Sequence, residues 1–542
     1  MLRYKKIQQL MERKLSTKWL ILILCAFTGM IYISLIFGTH NINPNNTDWV
    51  IKGGGDYFQH YIGWRFFRIS PWTKHFLFMQ NLNYPEGSSV IVTDSNPLFC
   101  LIFKLFRPFL PQNFQFNGIW ILLNYGLIGF FSGCIGWKLS RDRLFTCTLS
   151  IFTILNPVIL QRTAIHDTLT AHWLILYAIL AALNWKSRHN WLHWSIITVF
   201  VMLIHSYFLP MVSFILLLQL LWMVQNRDNW IRILLIITSF FIPLTLIYFI
   251  AGFNYILPQS SSYGELSMNL NAFFNPDGSS VFLPNRETFP LQYEGFNYLG
   301  FGLIVLIVFS LFHLKPEQIK KVLIFIFPVV LYLLFALSNT ITFDQKVLAT
   351  FPLSTKMEQL LSTFRSSGRF AWPFYYLFLF GSGFLIYRKV TVSKRRLNFA
   401  KIIIILCLGL QIADLSEFNI SFYNRFHQEK SSEVQEFSVD IPMEAFPSVK
   451  HLAVTDGDSR MIDRLALFAV ENDLSFNRSA NARKIYPIYE RVNDSVHDQL
   501  VNRALQRDTI YIIINDEDKR LAVENYPNDF YRTEYFIYII KQ

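Results

Sequence analysis

The chain has 542 residues, 52% of them hydrophobic and 16% charged, with a formal net charge of +12. That composition lies outside the range of soluble globular domains and describes a protein that crosses a membrane several times. The positive charge sits in short clusters between apolar runs, which is how membrane topology signals are written, so nucleic acid is excluded as a partner.

In chain order, a basic tail (Arg3, Lys5, Lys6, Arg13, Lys14, Lys18) precedes an apolar run at 19–37. The run is long enough to span and no small-x-small cleavage pattern follows it, so it reads as a retained signal anchor. Further apolar segments fall at 118–137, 143–160, 169–185, 191–208, 209–225, 230–251, 299–314, 321–338, 370–387 and 398–415, which predicts about eleven transmembrane helices. The piece 96–110 is interrupted by Lys104 and Arg107 and bracketed by Pro97, Pro108 and Pro111. Placing it on the outer surface as an amphipathic segment puts every basic cluster, from Lys138/Arg141/Arg143 to Arg388/Lys389/Lys394/Arg395/Arg396, on the side of the N-terminal tail. Positive-inside bias then makes the N-terminus cytoplasmic and the C-terminus external.

The predicted fold class is an all-α polytopic membrane protein with a small C-terminal α/β domain. A cytoplasmic tail at 1–18 leads into a transmembrane domain at 19–415, whose long loops 38–117, 252–298 and 339–369 face outward. From about Glu417 the apolar runs stop; strand-like Tyr511 to Asn515 and Tyr535 to Ile540 alternate with helix-like 461–475 and 495–507, predicting an external α/β domain at 416–542. The five cysteines form no CxxC pair and none lies in that domain, which argues against a disulfide framework.

The first loop carries GGGDYFQHYIGWRFFRISPW, Gly53 to Trp72. Three glycines permit an unusual backbone before a helix start, and Asp56 falls where a carboxylate favours the helix N-terminus. Asp56 and His60, four residues apart, share a helix face, and Arg65 and Arg68 reach toward lipid headgroups. A capped juxtamembrane helix accounts for the same residues.

This stretch, with FRSSGRFAWPFYY (Phe364 to Tyr376) and QYEGFNYLG (Gln292 to Gly300), resembles an uncharacterised bacterial multipass family of the type C glycosyltransferases, which use polyprenyl-phosphate sugars. The resemblance covers most of the chain. It implies that Asp56 acts as general base on an acceptor hydroxyl or as ligand to a divalent cation, magnesium or manganese. It also implies a bacterial inner membrane, with the C-terminal domain periplasmic. Relatives carry a second acid in this neighbourhood, whereas here the next one along is Asp94 in TDSNP, which leaves the metal open.

Within that chemistry, Arg365 and Arg369 around Ser366 and Ser367 suit a donor phosphate, since guanidinium binds phosphate bidentately. Snorkelling at a helix end is the plain alternative. Arg162, His166, Asp167, His172 and His205 form a polar group behind the site, with Asp167 also placed to cap a helix. Tyr263, Asn269, Tyr293, Glu294 and Asn297 offer amides and aromatic faces to a sugar or acceptor, or pack as an ordered lid. No HExxH, Walker loop or GxSxG elbow appears, and the 12 histidines show no zinc-type spacing.

These expectations add up to an inverting membrane glycosyltransferase. It would move a sugar from a polyprenyl-phosphate donor to an envelope glycan, glycolipid or protein, with membrane lipids as its other partners. A transporter or flippase of lipid-linked saccharides, and a noncatalytic envelope scaffold, are the rivals. The asymmetric placement of ionisable residues at one face argues against transport.

Overall fold

A computed structural model describes residues 2–255, 263–312, 314, 323–390, 394–428, 439, 441–455, 459–478, 495–533 and 536–540. The protein is mostly helical and divides into two compact units. One contains residues 1–46, 115–244 and 259–428; the other contains 47–114, 245–258 and 429–542.

Of the eleven expected crossings, six are seen at spanning length among the described residues. Thr17–Phe37, Asn117–Ser140, Arg143–Ile165, Phe208–Gln225, Trp230–Ile250 and Ser367–Tyr387 are long and apolar enough to cross, and the pair Asn398–Asp414 and Ser416–His427, bent by 47°, makes a seventh if it counts as one span. The other four expected spans are shorter apolar helices, Asp167–Leu183, Asn190–Ile204, Phe301–Leu311 and Leu323–Leu337. At about 1.5 Å per residue such helices fall short of a hydrocarbon core about 30 Å thick. Their ends have local causes. His205 is extended (φ −162°) and stops the 190–204 helix, while Ser338 (φ 67°) stops the helix ending at Leu337. The first two residues of the expected 321–338 span lie outside the described residues.

Small residues let these helices approach. Gly126, Gly129 and Gly133 face the first helix, where a Cβ on Gly129 would lie 2.1 Å from the Cys25 carbonyl oxygen. Where lipid offers no hydrophobic drive between helices, such close van der Waals contact and interhelical hydrogen bonds hold them. Ser150 Oγ, for example, donates to the Gly129 carbonyl at 3.1 Å and accepts from Ser132 Oγ at 3.0 Å.

The second unit is built on a five-stranded sheet. Across it run Ser475–Phe476, His451–Val454, Thr509–Ile513, Ile537–Ile540 and Phe530–Arg532, the first three parallel and the last two antiparallel to their neighbours. The helices expected at 461–475 and 495–507 are seen as Ser459–Glu471 and Ser495–Val501, and Asp516–Asn525 forms another. The basic stretch Asn477 to Lys484 lies outside the described residues from Ser479 onward.

The first loop belongs to this unit rather than to the helices that flank it in sequence. Phe476 N donates to the Asn81 carbonyl at 2.8 Å, Tyr84 N donates back to the Phe476 carbonyl at 2.9 Å, and Tyr84 stacks on His451 at 4.1 Å. The loop therefore covers the Ser475–Phe476 edge, which would otherwise offer unpaired backbone groups.

Candidate functional site

In the helical unit the motifs QYEGFNYLG and FRSSGRF meet at their glycines. A Cβ on Gly368 would lie 2.5 Å from Gly295 Cα, and one on Gly295 would lie 2.4 Å from the Ser267 carbonyl oxygen. Asn297 Nδ2 ties the two together, donating to the Gly295 carbonyl at 2.8 Å and the Gly368 carbonyl at 3.0 Å. Glu294 and Arg369, the neighbours of these glycines, are thereby brought face to face.

Arg369 holds the Glu294 carboxylate bidentately, Nε to Oε2 at 2.7 Å and Nη2 to Oε1 at 2.8 Å, and Arg162 Nη1 donates to Oε2 at 2.8 Å. All three are buried. Arg369 also lies over the Tyr207 ring at 4.7 Å, and Arg162 over Trp372 at 5.9 Å. Burial pushes the Glu294 carboxyl upward, but Arg162 and then Arg369 overcome it and hold the group well below the usual carboxylate range. The buried Arg162 Nε has no hydrogen-bond partner among the described residues. Gly368→Ala would force this junction apart; a loss of about 1–3 kcal/mol is expected, read as a lower thermal midpoint of the detergent-solubilised protein.

Arg369 and Glu294, expected on phosphate and on sugar or acceptor respectively, are thus ion-pair partners. Arg365 differs: it is half-buried, and no hydrogen bond or ion pair holds its guanidinium among the described residues. Beside it, Ser366 N donates to the Tyr207 hydroxyl at 3.0 Å, and the Ser367 hydroxyl donates to the Ala336 carbonyl at 3.2 Å. Both serines are buried.

The polar group behind this cluster is densely bonded. Asp167, fully buried, accepts from Asn117 Nδ2 at 2.7 Å and from Thr168 N at 2.9 Å. His166 Nδ1 and the Thr168 hydroxyl are 2.9 Å apart, and the His166 and His205 rings meet edge-on at 5.3 Å. His172 Nδ1 lies 2.7 Å from the Tyr376 hydroxyl, and the ring stacks on Trp372 at 4.6 Å.

The residues expected to read sugar mostly bind their own loops. Asn269 Nδ2 donates to Gln292 Oε1, the Thr342 hydroxyl and the Asp344 carbonyl, and the Tyr263 hydroxyl donates to the Phe335 carbonyl. Tyr293 remains exposed. Asn269 does line a shallow polar depression with Asn271, Asn275, Asp277, Thr288 and Gln292.

In the second unit, Gly54 and Gly55 take φ of 64° and 58°, and the helix Gly55–Ile69 starts there with Asp56 in its first turn. Open space surrounds each of these glycines, so the left-handed backbone rather than crowding is what calls for them. Asp56 is half-exposed, while His60 is 2% exposed. The turn Thr93–Asn96 packs on the same helix: Gln59 Nε2 donates to the Thr93 carbonyl at 3.3 Å, and a Cβ on Gly63 would lie 2.3 Å from the Thr93 and Ser95 hydroxyls. Asp94 and Asn96 in that turn both hold φ 53°, a strained setting that Asp and Asn tolerate best. The second acid is therefore folded onto the helix that begins with Asp56.

Arg65 and Arg68 do not reach outward. Arg65 is buried against the Tyr61 hydroxyl at 2.7 Å, and Arg68 donates to the carbonyls of Arg107, Leu110, Pro111 and Gln112. The prolines at 108 and 111 break the helix there, and Arg68 satisfies the carbonyls left over.

Sequence reasoning missed Tyr207, Trp372 and Tyr376, whose apolar runs masked them. It also missed Asp414, fully buried at a helix end, which accepts from the Tyr298 hydroxyl at 2.7 Å, from Phe301 N at 2.8 Å and from the Ser280 hydroxyl. An acid closing a long apolar run was the available signal.

Fold and site together define a polytopic membrane protein with a buried carboxylate and two guanidiniums in its helical unit and a sheet unit that incorporates the first loop. The chain belongs to the family defined by the domain of unknown function DUF6311, whose model matches residues 26–416, and the DUF6311 C-terminal domain matches residues 443–540. No curated protein matches the sequence significantly.

Proposed function

We propose that the protein is an integral membrane glycosyltransferase that transfers a sugar, with inversion, from a polyprenyl-phosphate donor to an envelope glycan, glycolipid or protein acceptor on the outer face of the bacterial inner membrane. The observation that carries this reading is Arg365 in the helical unit, beside the buried Glu294–Arg369 pair, whose own guanidinium no carboxylate pairs among the described residues. A half-buried guanidinium without a carboxylate favours an anion, and a lipid phosphate offers the bidentate match.

In the reaction, the acceptor hydroxyl oxygen attacks the anomeric carbon, the bond from that carbon to the phosphate oxygen breaks, and polyprenyl phosphate leaves with the electron pair. Asp56 takes the acceptor proton, with His60 on its helix to orient it. A divalent cation, magnesium or manganese, prefers oxygen ligands, and Asp56 would offer it one. When bound it would neutralise phosphate charge.

A transport reading draws on a different observation, the short apolar helices and the bent 398–427 pair, since discontinuous helices are common in transporters. One experiment separates the two. Purified protein is incubated with radiolabelled polyprenyl-phosphate sugars, with and without chelator, and label is followed to acceptor. Transfer supports the enzyme; retention of intact donor without any transfer, across the panel, supports transport. Within the same assay, Arg365→Ala is expected to weaken retention of polyprenyl phosphate about ten- to a hundredfold, as loss of charge-assisted hydrogen bonds implies. Unchanged retention would remove Arg365 from the site.

A further inference from the structure

We propose that residues 102–109 form a wedge that enters the lipid leaflet, with Leu105, Phe106 and Phe109 among acyl chains and the exposed Arg107, backed by the buried Lys104, on the phosphate of an anionic phospholipid. This does not depend on the enzymatic reading. Leu105, Phe106 and Phe109 are 69%, 55% and 84% exposed, and Ile102 and Trp72 add to the same apolar surface. Scattered exposed apolar residues need no explanation, but three large ones within five positions do.

The segment is held rigid in that exposed state. Arg68 donates to the Pro111 carbonyl at 2.5 Å, Leu110 at 2.7 Å, Gln112 at 3.1 Å and Arg107 at 3.2 Å, and Arg107 Nη1 donates back to the Arg68 carbonyl at 3.3 Å. The side chains project from a fixed turn rather than from a loop free to fold them away.

Charge identifies the occupant. Lys104 is 2% exposed, its Nζ lies 3.9 Å from the Phe67 ring centre and 4.4 Å from that of Trp72, and among the described residues it has no hydrogen-bond partner. Among the described residues no carboxylate pairs with Lys104 or with the exposed Arg107. Two neighbouring cations with no carboxylate between them make a positive potential that reaches the surface at the exposed Arg107 and favours an anion there. Cations at the foot of an apolar projection match an anionic headgroup above acyl chains.

The test uses full-length protein with its native cysteines replaced, carrying a nitroxide at Phe109→Cys or, as a control on the sheet unit, at Glu524→Cys. Each is reconstituted in nanodiscs of phosphatidylglycerol mixed with phosphatidylcholine, or of phosphatidylcholine alone. With phosphatidylglycerol, position 109 is expected to collide about threefold more with oxygen than with a water-soluble nickel reagent, and position 524 the reverse. Lys104→Gln with Arg107→Gln should remove the dependence on phosphatidylglycerol. Water exposure at 109 in both discs overturns the proposal, as does spin–spin broadening that reports a second copy. Insertion equal in both discs overturns the headgroup assignment, and insertion induced by polyprenyl phosphate but not by phosphatidylglycerol assigns the surface to a different lipid.

Discussion

Glu294→Gln is expected to destabilise the helical unit by about 3–5 kcal/mol, the cost of removing one member of a buried ion cluster and leaving its partners uncompensated. The amide keeps the shape but cannot neutralise Arg162 and Arg369, which approach the native carboxylate at 2.8 and 2.7 Å. Because the native carboxyl is held below its ordinary range, its contribution is complete above about pH 4.5, where the unfolded chain also ionises, and is lost as pH falls from there toward the lower folded value. The gap in thermal midpoint between wild type and variant should therefore be constant from pH 8 to about pH 5 and narrow in more acid solution. The double variant Glu294→Gln, Arg369→Gln should cost less than the sum of the single ones, since both remove the same contact. Equal midpoints at neutral pH would show that the cluster does not hold the fold.

Asp56→Asn is the second large effect, and it falls on activity. A positioned general base contributes about a hundred- to ten-thousandfold, so transfer should fall by that factor while the thermal midpoint stays near wild type. Little structural cost is expected because Asp56 is half-exposed and the bend before its helix is made by Gly54 and Gly55. Asp94→Asn separates the roles available to acids here. A loss that extra divalent cation restores marks Asp94 as a ligand, and a loss that it does not restore marks it as support for the turn. Full activity in Asp56→Asn would reject Asp56 as the base.

The sequence made the helical class, the glycine-led helix start at Asp56 and the C-terminal α/β region legible, because each is written in contiguous residues. Span number was not, since hydropathy registers the length of an apolar run but not the turns at His205 and Ser338 that cut it. Nor was the Glu294 cluster. Glu294 lies 132 residues from Arg162 and 75 from Arg369, and the close approach of Gly295 to Gly368 that brings it to Arg369 leaves no mark in contiguous sequence. The same limit hid the packing of the first loop on the sheet, where Asn81 and Tyr84 bond Phe476 across nearly the whole chain. Residue types named the chemistry, but partners at long sequence separation decided which groups it occupies. Arg369 is spent on Glu294, and Arg365 is the guanidinium left over.

The most direct measurement is an experimental structure of the protein in lipid with a polyprenyl-phosphate sugar bound. The account predicts the phosphate on the Arg365 guanidinium, with the Glu294 ion pairs to Arg162 and Arg369 intact behind it. Density for the phosphate away from Arg365, or a donor that binds only after Glu294 is displaced from Arg369, would contradict it.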